Sequence, residues 1–308
     1  MPCLEVLVAE RYEVVGVVTQ PDKPKGRGGR QAAPPVKLYA EAYGLRVLQS
    51  EKSDGFYEDA LKLEPDLAVT VAFGGILRGH FLNALPRGCI NVHASLLPKY
   101  RGPSPIHQAL LNGDTKTGIT TMLTDVGIDT GDILLSEELW IPPDMCFEEL
   151  QVRLAVLGAE VLKKTIPQYL NGQIIPVAQD SSRATRTPII RKEAGKLDFN
   201  ESAQQIVNKV RALNPWPGTI TELNGKVVKI LGAHVDDKWT VRDAGERAES
   251  LCGEIVEVSK EAIIARCGFG YVRITRLQFQ NGKEMDISAC WHNIQKGWIF
   301  NSPPAPAQ

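Results

Sequence analysis

Three side chains in the first half of this sequence could do chemistry together: the amide of Asn91, the imidazole of His93 and the carboxylate of Asp129. Residues 88–92 read as a short strand, with Cys89, Ile90 and Val92 apolar. The period of two then puts Asn91 and His93 on the same side of its end. About 35 residues on, the Gly-rich bend Asp125-Val126-Gly127-Ile128-Asp129-Thr130-Gly131-Asp132 presents several carboxylates on a loop. An amide, an imidazole and a carboxylate at strand tips can stabilise an oxyanion and move a proton. Each piece alone has a plainer meaning, Asn-x-His as a structural pair and Asp-Thr-Gly-Asp as a turn. Together they gain weight, because polar loops at strand ends are where open α/β sheets hold their sites.

Those loops need a sheet behind them. Residues 3–10 read as a helix, with Leu4, Leu7 and Val8 on one face. Residues 12–19 form a Val-rich buried strand suited to parallel pairing, and residues 66–72 form a second. Helices at 36–43, 55–63 and 79–84 and a strand at 45–48 complete a β–α alternation. That alternation predicts a doubly wound, mostly parallel, Rossmann-like α/β sheet. Strands at 118–124 and 133–141 flank the Asp129 loop as an antiparallel addition. The longest helical pattern, 146–170, carries Leu150, Leu154, Leu157, Val161 and Leu162 on one face.

Between the first two strands runs QPDKPKGRGGRQAAPPVK, a loop dense in Gly, Pro and the cations Lys23, Lys25, Arg27, Arg30 and Lys37. It is either a solvated loop or an arm that engages phosphates. The G-x-G-x-x-G dinucleotide pattern is not met. After Val177 the composition turns polar and locally basic, so residues 178–196 are expected as a linker between a catalytic domain (1–177) and a C-terminal domain (197–308). In the latter, a helix at 202–213 precedes six short strands with tight turns at Asn224-Gly225 and Asn281-Gly282. A small oligonucleotide-binding (OB)-like β-barrel is the natural architecture.

With 308 residues, 43% hydrophobic and 23% charged, the chain has material for two cores. Its net charge of −1 carries no global nucleic-acid signature, so any RNA contact must come from local patches. No apolar run nears the roughly 20 residues needed to cross a bilayer, and no leader is evident at the amino end. The six cysteines lack CxxC or metal-ligand spacing, which predicts reduced thiols, a cytoplasmic setting and no metal. Nothing demands more than a monomer.

The motifs VVTQPDKPKGRG (17–28), INVHASLLPKYRGPSPIHQALLNGD (90–114), TGIT (117–120), DVGIDTGDIL (125–134) and LNPWPGT (213–219) resemble those of bacterial methionyl-tRNA formyltransferases, over nearly the whole chain. The resemblance implies formyl transfer from the co-substrate 10-formyltetrahydrofolate to the α-amino group of methionyl initiator tRNA. It implies that Asn91 donates to the formyl oxygen, that His93 acts as cation or as base, and that Asp129 orients His93 and a relay water. Ser95, Leu96, Leu97 and Pro98 match the folate-contacting segment, and Lys23, Lys25, Arg27 and Arg30 the loop that meets the tRNA acceptor end. Formyl transfer to a small amine, formyl hydrolysis, or RNA binding with a decayed site are the alternatives. The resemblance also implies a strand and a Gly-Thr-Pro-x-Phe turn ahead of the first helix, whereas Met1-Pro2-Cys3-Leu4 falls within that helix. Without that strand two neighbouring sheet edges would be open and stability and activity reduced.

Overall fold

The computed structural model describes residues 1–25, 30–49, 55–75, 77–239 and 251–301. They divide into two compact units, each assembled from separate segments. The first holds residues 1–105, 116–140 and 151–188, and the second 106–115, 141–150 and 189 onward. The stretch expected as a linker is therefore divided at Pro188, its first part belonging to the first unit. Among the described residues no helix is long and apolar enough to cross a membrane.

The first unit begins with α1 (Pro2–Ala9), β1 (Val17–Thr19), a hairpin of β2 (Lys23–Lys25) and β3 (Arg30–Ala32), α2 (Pro35–Ala42) and β4 (Val47–Gln49). It continues through α3 (Tyr57–Leu61), β5 (Ala68–Val71), α4 (Gly79–Ala84) and β6 (Cys89–His93). After α5 (Pro105–Leu111) come β7 (Lys116–Leu123), β8 (Ile133–Trp140) and α6 (Phe147–Leu170). β1 pairs in parallel with β4, and β5 in parallel with β6, while β6–β7 and β7–β8 are antiparallel. The expected α/β sheet with an antiparallel addition beside the Asp129 loop is thus observed. The hairpin corrects the expectation of a featureless loop. Lys25 stands opposite Arg30 and Lys23 opposite Ala32, although Lys-Pro-Lys has none of the alternation that announces a strand.

Among the described residues the sheet comes in two pieces, β1–β4 and β5–β6–β7–β8. β1 and β5 each keep one edge without a described strand partner. The expected strand 12–19 is observed as three residues, Val17–Thr19. β5 is half-exposed, with Val71 at 43%, whereas β6, bonded on both flanks, is buried everywhere except Asn91. The Gln20 side chain donates to the Phe73 carbonyl at 3.3 Å, and both pieces share a core of Phe56, Tyr57, Phe81 and Cys89 with Val18, Leu48 and Ala68 against it. On α6, Gly158 allows close approach to Val92; an added Cβ would lie 3.1 Å from that side chain.

In the second unit Ser202 and Gln205 form a reciprocal capping box that starts α7 (Ala203–Leu213). Short strands follow: β9 (Ile220–Leu223), β10 (Lys226–Val235), β11 (Ile255–Val258), β12 (Ile263–Arg266), β13 (Tyr271–Phe279), β14 (Glu284–Asp286) and β15 (Phe300–Asn301). Their order is β11-β12-β13-β10-β9-β15, with β14 on β13, all antiparallel. The ends of this order meet: Gly297 N–H donates to Ile255 O, Ile255 N–H to Trp298 O and Phe300 N–H to Gly253 O, each at 2.8 Å. The antiparallel sheet therefore curls toward closure, as an OB-like barrel requires. Val228, Ile230, Ile263, Val272 and Ile274 fill it together with Ile206 and Val210 of α7.

Candidate active site

Asn91 and His93 project from the end of β6, where the strand is held by β5 on one side and β7 on the other. Thr70 is directly opposite Asn91, and its hydroxyl donates to Asn91 Oδ1 at 3.0 Å. That contact sets the amide's orientation and turns Nδ2 toward Asp129 Oδ1, 3.4 Å away. His93 Nε2 lies 2.9 Å from the Tyr100 carbonyl. A carbonyl only accepts, so Nε2 carries the proton and donates. Nδ1 is left facing Asp129 Oδ1 at 3.6 Å, with 7% of the His93 side chain and 16% of the Asp129 side chain exposed. The structure thus brings Asn91, His93 and Asp129 around one carboxylate oxygen.

Asp129 is supported from two directions. Its Oδ2 accepts the Gly102 N–H at 2.7 Å, and its backbone has φ 53°, a left-handed conformation that aspartate tolerates better than most side chains. Asp125 ties the same loop together by accepting from Gly127 N–H and the Thr130 hydroxyl. Val126 and Ile128, at 74% and 59% exposed, present apolar surface beside it.

The turn after β6 faces largely inward. Ser95 is fully buried and its hydroxyl donates to Lys99 O at 2.6 Å. Leu97 is buried and its N–H donates to the Thr120 hydroxyl, and Pro98 O accepts from Thr185 N–H. Within Ser95–Pro98, only Leu96 and Pro98 keep a partly open surface. Neither Ser95 nor Cys89 is poised as a nucleophile: the Ser95 hydroxyl is committed, and burial pushes the Cys89 thiol up.

Sequence reasoning missed the partners that hold this arrangement. Residues 177–187 form a strap. Val177 and Ile133 exchange both backbone bonds, Arg101 N–H donates to Thr185 O and Thr187 N–H to Arg101 O. The Thr185 hydroxyl accepts Tyr100 N–H, and the Thr187 hydroxyl accepts Ser104 N–H. Gln179, on this strap, bonds both Arg101 and the Asp129 loop. No motif marks these residues, because they sit in an aperiodic polar stretch.

The cationic set lies on a separate element. Lys23, Lys25 and Arg30 are on the β2–β3 hairpin, and Arg27 lies outside the described residues. At its base Lys37 pairs with Asp22 at 2.9 Å. Hydrogen bonds from Gln49 and Lys37 hold the Asp22 carboxyl below its ordinary range.

The chain matches the formyl transferase family over residues 6–166 and the formyl transferase C-terminal domain over residues 189–295. It is 47% identical to the methionyl-tRNA formyltransferase of Ruminiclostridium cellulolyticum, covering 93% of this chain and 91% of that protein. It is 43% identical to that of Acetivibrio thermocellus, covering 97% and 96%. Among solved structures, WlaRD, a sugar 3N-formyl transferase, superposes with a TM-score of 0.64 at 19% identity, covering 92% of this chain and 94% of that one. The N-formyltransferase from Helicobacter canadensis gives 0.63 at 20%, covering 88% and 93%. At such identities the two structures speak for the fold. With both family domains matched in order, and relatives of one activity aligned nearly end to end, this chain belongs to the methionyl-tRNA formyltransferase family of formyl transferases.

Proposed function

We propose that the chain transfers a formyl group to the α-amino group of methionyl initiator tRNA. The co-substrate 10-formyltetrahydrofolate supplies the formyl carbon, whose bond to N10 breaks as the new amide bond forms, N10 leaving with a proton as tetrahydrofolate. An α-amino group with a pKa of about 7.7–8.0 is partly neutral near pH 7, so it can attack without an enzyme nucleophile. The convergence of Asn91 Nδ2 and His93 Nδ1 on Asp129 Oδ1 carries this reading. Asn91 Nδ2 donates to the oxygen on which negative charge develops. His93, with Nε2 engaged by Tyr100, works through Nδ1 as cation or as acceptor of the amine proton. Asp129 orients the imidazole and a relay water. The donor set suits a formyl oxygen, and the exposed side chains of Val126 and Ile128 suit a flat pterin ring better than a phosphate. Of the residues matching the folate segment, Leu96 and Pro98 retain surface for contact. Ser95 and Leu97 act by shaping the turn. Lys23, Lys25, Arg27 and Arg30 engage the acceptor end of the transfer RNA.

The test is formylation of methionyl initiator tRNA with 10-formyltetrahydrofolate, measured for the chain and for Asn91→Ala, His93→Ala and Asp129→Asn. Asparagine keeps tolerance of positive φ and an acceptor for Gly102, so that variant isolates the charge. Each should lose about 10²–10³ in turnover. Undiminished turnover in His93→Ala or Asp129→Asn would defeat the assignment.

A further inference from the structure

We propose that Gln179 is a positioning residue for this reaction, its side-chain amide holding the Asp129 loop in register with Asn91 and His93. The inference rests on the role given to Asp129 above. Gln179 Nε2 donates to the carbonyls of Asp129 at 3.0 Å and Gly131 at 2.8 Å. Its Oε1 accepts from Arg101 Nε at 3.0 Å and Nη2 at 2.9 Å. The amide cannot be turned over, because a guanidinium only donates and carbonyls only accept.

Arg101 explains why the grip is firm. It is 5% exposed, and among the described residues no carboxylate lies within ion-pair distance of it. Its charge is spent instead on two bonds to one amide oxygen. A charge-assisted bond at Oε1 polarises the amide and strengthens its N–H donors, which point at the Asp129 loop. Arg101 is also the neighbour of Gly102, whose N–H holds Asp129 Oδ2. One side chain therefore links the group that grips the carboxylate to the backbone that carries it. Asp129 adopts a positive φ that persists only where its surroundings hold it. Gln179 is itself anchored between the Val177–Ile133 and Thr185–Arg101 bonds of the strap.

The experiment compares Gln179→Ala and Gln179→Glu in the full chain by steady-state formylation and thermal melts, alone and combined with Asp129→Asn. Glutamate retains the acceptor for Arg101 and adds an ion pair, but in place of the donors it sets a carboxylate oxygen against the two carbonyls, and the melts report which variants are folded. The expected result for Gln179→Glu is a loss in kcat of about tenfold or more, with KM for either substrate within about threefold. In the Asp129→Asn background the same change should cost less than about threefold, since the two residues act through one group. A folded Gln179→Glu with wild-type kcat, a loss confined to KM, or fully multiplicative losses with Asp129→Asn would each overturn the proposal. If Asp129→Asn alone keeps wild-type turnover, the role of Asp129 itself fails, a different result from a Gln179 variant that stays fast beside a crippled Asp129→Asn.

Discussion

The backbone N–H of Gly102 donates to Asp129 Oδ2 at 2.7 Å, and only a glycine can deliver it from that position. Its φ is 112°, and an added Cβ would stand 2.8 Å from the Thr187 carbonyl and 3.0 Å from the Thr187 hydroxyl. Gly102→Ala should cost about 1–3 kcal/mol of stability. It should also lower turnover by about tenfold or more, as expected for losing a bond to a charged acceptor. Denaturant midpoints and kcat measured on the same preparation check both, and a wild-type kcat would count against the role of this N–H.

His107 gives the second unit an acid-sensitive point. It is half-buried and stacks on Phe147 with ring centroids 4.1 Å apart, and burial pushes its pKa below the ordinary 6.5. The unfolded chain then takes up this proton at higher pH than the folded chain does. The associated stability is fully present above about pH 6.5 and is lost as pH falls through the lowered folded value. His107→Phe keeps an aromatic partner for Phe147 and removes the titration. Urea unfolding between pH 5 and 7 should show a flatter acid limb for the variant; an unchanged slope would reject the assignment.

The cysteines are six free thiols of unequal access. Burial pushes Cys267 up to about 12 and Cys3 up to about 11, while Cys146 and Cys252 are partly open. Under native conditions near pH 8 a disulfide reagent such as DTNB should label Cys146 and Cys252 first, and denaturation should release the remainder. Rapid labelling of Cys267 in the folded chain would contradict its burial.

Replacing Lys23, Lys25, Arg27 and Arg30 with glutamine should weaken binding of the transfer RNA and leave KM for the folate unchanged. The slope of log affinity against log salt should flatten by about 0.7–0.9 for each phosphate contact removed. An unaltered slope would mean that the hairpin does not touch the RNA backbone.

How much could be read without coordinates varied with the physics of each element. Val-rich runs announced β1 and β5, and strand periodicity alone put Asn91 and His93 at one tip. Asn224-Gly225, both at positive φ, and Asn281-Gly282, with Asn281 at positive φ, marked hairpins of the barrel. The β2–β3 hairpin escaped because Pro24 and alternating cations mimic a coil. Gln179 escaped for a deeper reason: its partners are 50 and 78 residues away, and periodicity reports only what lies nearby in the chain. Nothing local separates it from the polar residues around it.

The division of the sheet between β1 and β5 also ranks the order in which the first unit comes apart. Among the described residues each strand of that seam keeps one edge without a strand partner, so exchange with solvent should begin there, well below the free energy of global unfolding. β6, laced to neighbours on both flanks, opens later. Asn91 and His93 ride on the slow-exchanging half, so a sub-global opening could part β1–β4 from its neighbour and leave the two polar side chains in register.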